Sequence, residues 1–210
     1  MEKGKLVVVS GFSGAGKGTT MKALVAKYND YALSVSATSR KPRPGEEDGR
    51  EYFFKTKEEF EAMIQAGELV EYAQYVGNYY GTPKAYVEEQ LAMGRNVLLE
   101  IEIQGALKIK GKFPDAVLIF ITTKDAATLI QRLTDRGTED AATIRKRMAR
   151  AAEEAEGVEA YDYIVVNDVL DDCVETIDKI IKTGHNNSYG NISIIENIKE
   201  GLKSFTEGEL

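Results

Sequence analysis

Three glycines and a lysine, Gly11, Gly14, Gly16 and Lys17, follow directly on the apolar run Leu6 to Val9. A run so short and so rich in valine reads as a buried strand, and the glycines end it abruptly. Glycine leaves backbone N–H groups free to wrap a chain of phosphates, and those groups gather where a helix begins, at the end whose dipole favours anions. Lys17 then reaches the outer phosphates as a point charge and lessens the repulsion met by an incoming nucleophile. With Ser13 and Ala15 between the glycines, Gly11 to Lys17 meets the spacing G-x-x-x-x-G-K of a phosphate-binding loop. Position 18 is glycine where that motif has serine or threonine. The hydroxyl that ordinarily ligates Mg2+ is therefore missing, and Thr19 supplies the next one.

Three further groups stand where they can meet a ligand. Arg40, Lys41 and Arg43 lie among Pro42, Pro44, Gly45 and Gly49. Charged loops are ordinarily only solvated, but arginines held stiffly in an acidic protein suit a second phosphate, which arginine meets bidentately. Glu71, Tyr80 and Thr82 bring a carboxylate, a phenol and a hydroxyl to adjoining turns, where they can face one polar ligand; Tyr72 and Tyr75 beside them read as an aromatic minicore. Glu100 and Glu102 stand two apart on a strand expected at Asn96 to Ile103, hence on one face. Such carboxylates can simply face solvent. Beside a phosphate-binding loop they suit Mg2+ or substrate.

The chain that must position these groups has 210 residues, 43% of them apolar and 29% charged, which suits one α/β domain with an ample core. A net charge of −7 argues against general affinity for nucleic acid or an anionic membrane. No apolar run reaches transmembrane length, and Met1 to Lys5 lead into a strand rather than a signal peptide, so a cytoplasmic protein is expected. One cysteine and one histidine exclude an internal disulfide and a zinc cage, and also a nucleophilic triad unless that histidine serves. Cys173 reads as a core thiol and His185 as a linker residue.

Periodicity continues the first helix to Tyr28 and predicts strands at Tyr31 to Ser36 and Tyr52 to Phe54. Thr56 with Glu59 makes a capping box for a helix that buries Phe60, Met63 and Ile64 and ends at Gly67. Asn78 to Gly81 reads as a turn, after which Thr82 caps a helix with Pro83 first and Gly94 just past its end. A strand at Val117 to Ile121 precedes two helical stretches split at Gly137, bearing Arg132 with Arg136 and Arg147 with Arg150. A last strand, Tyr163 to Val166, leads to a helix with the stripe Val174, Ile177, Ile180 and Ile181. Beyond a polar linker, Ile195, Ile198, Leu202 and Phe205 mark an amphipathic helix. Alternating strands and helices imply a mostly parallel sheet covered on both faces.

Ser36 to Phe54 spells SxxxRxPRxGExxGxxYxF, and with GNYYGT at Gly77 to Thr82 it resembles the guanylate kinase family, enzymes of purine nucleotide metabolism that phosphorylate GMP, and dGMP, from ATP. GKGT at Gly16 to Thr19 is similar to nucleoside monophosphate kinases such as adenylate kinase. The likeness runs from about Lys5 to Lys182. It implies a P-loop three-layer α/β/α fold with a mostly parallel sheet, a small strand-rich GMP-binding subdomain (about 36–95) and a mobile helical lid (about 124–157). These make up a domain of residues 1–184, followed by a linker and helix at 185–210.

The resemblance further implies ATP along Gly11, Ser13, Gly14, Ala15, Gly16, Lys17, Gly18 and Thr19, with lid arginines Arg132, Arg136 and Arg147 closing on its phosphates. The GMP phosphate falls against Arg40, Arg43, Tyr52 and Tyr80, and the base against Ser36, Glu71, Thr82 and Glu102. Lys17, Arg40, Arg136 and Arg147 are then the catalytic charges, and Thr19 with Glu100 holds Mg2+ through water. Where the family has aspartate, this chain has Glu100 and Glu102. Guanine chemistry agrees with the assignment: N1–H and the 2-amino group are neighbouring donors that one carboxylate accepts side by side, while O6 takes a hydroxyl proton. The N1 of AMP is an acceptor, which speaks against AMP at Glu71. The implied partners are ATP and GMP, with neither nucleic acid nor membrane. A kinase for another nucleoside monophosphate and a non-catalytic guanylate-kinase-like binding module are the alternatives. Lys17→Ala should lower kcat at least ~10²-fold, the scale of one lost preorganised charge, with the far-ultraviolet dichroism unchanged; near-normal turnover would end the kinase reading.

Overall fold

The computed structural model of the chain describes residues 3–75, 77–135 and 141–184. Its elements begin with β1 (Leu6–Gly11), α1 (Lys17–Lys27), β2 (Tyr31–Leu33), β3 (Ala37–Thr38), β4 (Phe53–Phe54), α2 (Lys57–Gln65), β5 (Leu69–Tyr75), β6 (Asn78–Pro83) and α3 (Lys84–Ala92). They continue with β7 (Asn96–Glu100), α4 (Ile103–Lys112), β8 (Val117–Thr122), α5 (Ala126–Asp135), α6 (Ala141–Ala155), a 3-10 turn (Val158–Ala160), β9 (Tyr163–Val166) and α7 (Leu170–Gly184).

Continuous apolar strands need cover on both faces, and a parallel sheet supplies it. The order β2-β7-β1-β8-β9 is parallel throughout, with Val7 opposite Leu98 on one side and Val117 on the other. Val7 and Val9 pack with Met21 and Leu24 of α1 and Val174, Ile177 and Ile181 of α7. Leu6 and Val8 pack with Val87 and Leu91 of α3 and Ala106 and Ile109 of α4. This gives the three layers. The expected thiol, Cys173, lies in the first cluster, where burial raises its pKa. A second sheet, ordered β4-β3-β6-β5, closes over Phe60 of α2 with Ala37 and Leu69.

Several expected boundaries differ. The helix after the glycine loop ends at Lys27, and Tyr28 is already extended. The strand expected at Tyr31 to Ser36 stops at Leu33; after Ser34 N–H donates to Leu98 O the chain leaves for the second sheet, where Ala37 and Thr38 pair with β6. Asn78 to Gly81 is strand rather than turn. The hairpin carries its left-handed glycine one residue earlier, at Gly77 (φ 76°). Thr82 lies within that strand, which ends at Pro83, and caps nothing: α3 starts at Lys84 with no side-chain cap, though Gly94 (φ 80°) follows it as expected. Ser10 Oγ donates to Ile101 O, β7 ends at Glu100, and Glu102 becomes the N-cap residue of α4. The two glutamates therefore do not alternate along one strand. Tyr72 is exposed, and the small core is built instead on Phe60 stacked with Tyr79.

Arg136, Gly137, His185 and the stripe from Ile195 to Phe205 lie outside the described residues. β9 forms one edge of the parallel sheet and exposes Tyr163, Ile164 and Val166 between Asp162 and Asp168.

The capping box forms as the sequence predicts. Glu59 N–H donates to Thr56 Oγ (3.1 Å) and Thr56 N–H to a Glu59 carboxylate oxygen (2.7 Å). Thr56→Ala should cost about 1 kcal/mol in urea unfolding, the usual worth of such a cap; no loss would mean that Phe60 alone holds α2.

Candidate nucleotide-binding site

The loop between β1 and α1 owes its shape to glycines at positive φ, Gly14 (92°) and Gly16 (91°). Gly16 is also the N-cap of α1 and carries no side-chain cap, so the helix amides face outward. Lys17 Nζ donates to the carbonyls of Gly11 (2.7 Å) and Phe12 (3.2 Å), which holds the ammonium across the loop. From the other side Asn167 Nδ2 donates to Ala15 O (2.8 Å), in a place where a Cβ on Gly16 would stand 2.5 Å from it. Arginines of the two helices after β8 reach the same region: Arg132 donates to Asn167 O (2.9 Å) and Arg147 to Ser13 Oγ. A cavity of about 310 Å³ opens here, lined by Gly14, Gly16, Thr19, Arg132, Asn167 and Asp168.

At the end of β7 the carboxylate of Glu100 faces the first turn of α1. Its Oε2 is 3.6 Å from the position a Cβ on Gly18 would take. The surrounding protein raises the Glu100 pKa, opposed by Lys17 and Lys22; the residue's solvent exposure limits that shift. With no side chain at 18 to intervene, the Glu100 carboxylate leaves room beside the loop in which a hydrated divalent cation could sit. Among the described residues no group of three His, Cys, Asp or Glu is gathered as a protein metal cage.

Across the cleft Arg40 is tied down. Its guanidinium donates to Glu46 (2.9 and 3.0 Å) and to Lys41 O (2.7 Å), and lies over the rings of Tyr52 (5.3 Å) and Phe54 (5.8 Å). The Arg40 hydrogen bond chiefly holds the Glu46 carboxyl below the usual range; Glu46 also accepts the Arg43 N–H (2.7 Å). Tyr80 meets Tyr52 edge to face at 6.0 Å. Burial first, then the Glu100 charge, raises the Tyr52 phenol, so the two sides of the cleft sense each other.

Glu71 is buried, 3% exposed, and one of its oxygens accepts from Thr82 Oγ (2.8 Å). Burial raises its pKa, opposed by the Thr82 hydrogen bond and by Lys108 and Lys112. Ser36 is half-buried at the crossing between the sheets, and its carbonyl accepts from Phe53 N–H. Sequence reasoning brought together Lys17 with Gly18 and Glu100, Arg40 with Tyr52 and Tyr80, and Glu71 with Thr82. It missed three supports. Glu46 had a visible signal, its fixed place in the proline-rich motif. Asn167 had only its position after the last strand, and Gly105 none beyond being a glycine inside a helix.

The guanylate kinase family model matches residues 3–184. The guanylate kinase of Latilactobacillus sakei subsp. sakei (strain 23K) is 53% identical over 184 residues, 87% of this chain and 91% of that protein. That of Enterococcus faecalis (strain ATCC 700802 / V583) is 52% identical over 185 residues, 88% and 91% of the two. The crystal structure of guanylate kinase from Anaplasma phagocytophilum is similar with a TM-score of 0.73 at 30% identity, covering 89% of each chain.

The raised Glu71 pKa gives a prediction with a definite sign. The folded state holds this proton more tightly than the unfolded chain does, so ionised Glu71 costs stability at neutral pH, and that cost fades as pH falls through its folded value. Glu71→Gln should melt above the wild type at pH 7.5, with the gap narrowing toward pH 5. A variant that melts below the wild type at pH 7.5, and by more there than at pH 5, would show that the ionised group stabilises the fold.

Proposed function

This chain belongs to the guanylate kinase family and transfers the γ-phosphoryl group of ATP to GMP; we propose that it does so through two facing sites, ATP on Gly11 to Thr19 and GMP between the small sheet and α4. The observation that carries the division is the buried Glu71 carboxylate with one oxygen on Thr82. A buried ionised acceptor suits the paired N1–H and 2-amino donors of guanine and repels the N1 lone pair of adenine. Ser36 and Glu102 flank the same base.

The GMP phosphate then falls to Arg40, Arg43, Tyr52 and Tyr80. Glu46 and the aromatic faces preorganise Arg40, so little side-chain freedom is lost when it meets the anion. A GMP phosphate oxygen attacks the γ-phosphorus in line, the bond from that phosphorus to the oxygen bridging to the β-phosphate breaks, and ADP leaves. No side chain is phosphorylated. Lys17 gives up the loop carbonyls for the outer phosphates, and Arg136 and Arg147 add charge as the lid, about residues 124–157, closes. The contacts of Arg132 and Arg147 with Asn167 and Ser13 support that reach. Thr19 and Glu100 would hold Mg2+ through water. Mg2+ bound with ATP neutralises phosphate charge. Among the described residues no helix is long and apolar enough to cross a membrane, and we place the enzyme's work in the cytoplasm.

A coupled ADP-release assay with ATP and each of GMP, dGMP, AMP, CMP and UMP tests the assignment. GMP should lead, with dGMP next. Glu71→Ala should cost GMP about 2–3 kcal/mol in kcat/KM, the worth of a charged acceptor, and harm AMP little. Arg40→Ala should chiefly raise the KM for GMP, and Arg147→Ala should lower kcat. Equal losses for GMP and AMP would make Glu71 a residue of the fold only.

A further inference from the structure

Glu71 reaches its buried position against the habit of its own strand. Leu69, Val70 and Glu71 are buried in succession, and the pairing of β5 with β6 shifts register between Leu69 and Tyr72. Such a bulge re-aims side chains, and here it turns Glu71 toward α4. A Cβ on Gly105 would stand 3.0 Å from Glu71 Oε2 and 3.5 Å from its carboxyl carbon. Glycine inside a helix is less favourable than alanine, so its presence at 105 answers to packing. From the next turns of the same helix face, Lys108 Nζ donates to Tyr72 O (2.7 Å) and Lys112 Nζ to Val70 O (2.8 Å). The strand is therefore held by α4 on both sides of Glu71, and the carboxylate itself rests against Gly105.

We propose that this face of α4 is the gauge that sets base selection: Gly105 fixes how far the Glu71 carboxylate advances, and Lys108 and Lys112 fix the strand that carries it. The inference rests on Glu71 reading guanine. All three are positioning residues, acting through Glu71. An added methyl at 105 must push the carboxylate aside by a few tenths of an ångström, enough to spoil two parallel hydrogen bonds to N1–H and the 2-amino group. The two ammoniums also favour the ionised acceptor.

The test is steady-state kinetics of the wild type, Gly105→Ala, Gly105→Val and the double variant Lys108→Met with Lys112→Met, using ATP with GMP or IMP. IMP keeps N1–H and O6 and lacks the 2-amino group, so it reports on the second hydrogen bond. Gly105→Ala should raise the KM for GMP about 5-fold and Gly105→Val more, in keeping with the ~10²-fold loss attached to a 1 Å misplacement. The KM for ATP should stay within about twofold, and the preference for GMP over IMP should shrink. In the lysine variant, the pH below which GMP binding weakens should move upward. Folded Gly105 variants with wild-type KM for GMP and wild-type preference would overturn the proposal, as would losses shared equally by ATP and GMP. Should Gly105→Val fail to fold, Gly105→Ala and the lysine variant decide. A wild type without preference for GMP over AMP would overturn the functional reading and this proposal with it; unaffected variants beside a selective wild type would overturn this proposal alone.

Discussion

A carboxylate enclosed by protein is expensive to keep ionised unless its surroundings answer its charge, and the Glu71 site answers part of it with parts of three elements. The strand bulges to deliver it, Thr82 of β6 gives it a hydroxyl proton, and glycines on two sides make room. Gly81 lets the neighbouring strand close on the main-chain oxygen of Glu71, where a Cβ would stand at 2.9 Å, and Gly105 admits the carboxylate. Because α4 follows β7, and β7 lies beside β1 with Val9 opposite Glu100, the helix that backs Glu71 is anchored in the sheet that carries the phosphate loop, while Glu71 and Thr82 belong to the smaller sheet. Contacts between α4 and β5 thus link the base seat to the phosphate loop.

Much of the fold was legible because its signals are local or strongly periodic. The valine run of β1, the Thr56 capping box and the stripe of α7 could each be read from neighbouring residues alone, and each is present. The misread places share a cause: a distant partner outweighed the local pattern. Ser34 ends β2 because the chain must change sheets. Gly81 looks like a turn residue but serves a close strand contact, and Thr82 looks like a cap but is claimed by a carboxylate eleven residues away.

The site was legible where chemistry needs a residue type at a fixed offset. Glycines with lysine, arginines between prolines, and one glutamate before a tyrosine-rich strand met those terms, and the first two came with their own rigidity. Supporting residues were harder to see, since an asparagine holding a loop or a glycine admitting a carboxylate has no spacing of its own. Glu100 and Glu102 show the same limit. Their separation of two promised a shared face only while both lay on a strand, and the Ser10 bond to Ile101 O removed that premise.

Among the described residues, β9 leaves three apolar side chains and an edge without a further strand at the rim of the parallel sheet. An edge of this kind is a template on which a second chain can add a strand. Asp162 and Asp168 bracket it, each already engaged with a lysine, Lys110 at 2.9 Å and Lys124 at 3.8 Å. The net charge of −7 opposes close approach of two copies, and such opposition between exposed charges is screened within about 8 Å at physiological salt. Whatever guard charge gives this rim therefore weakens as the salt concentration rises.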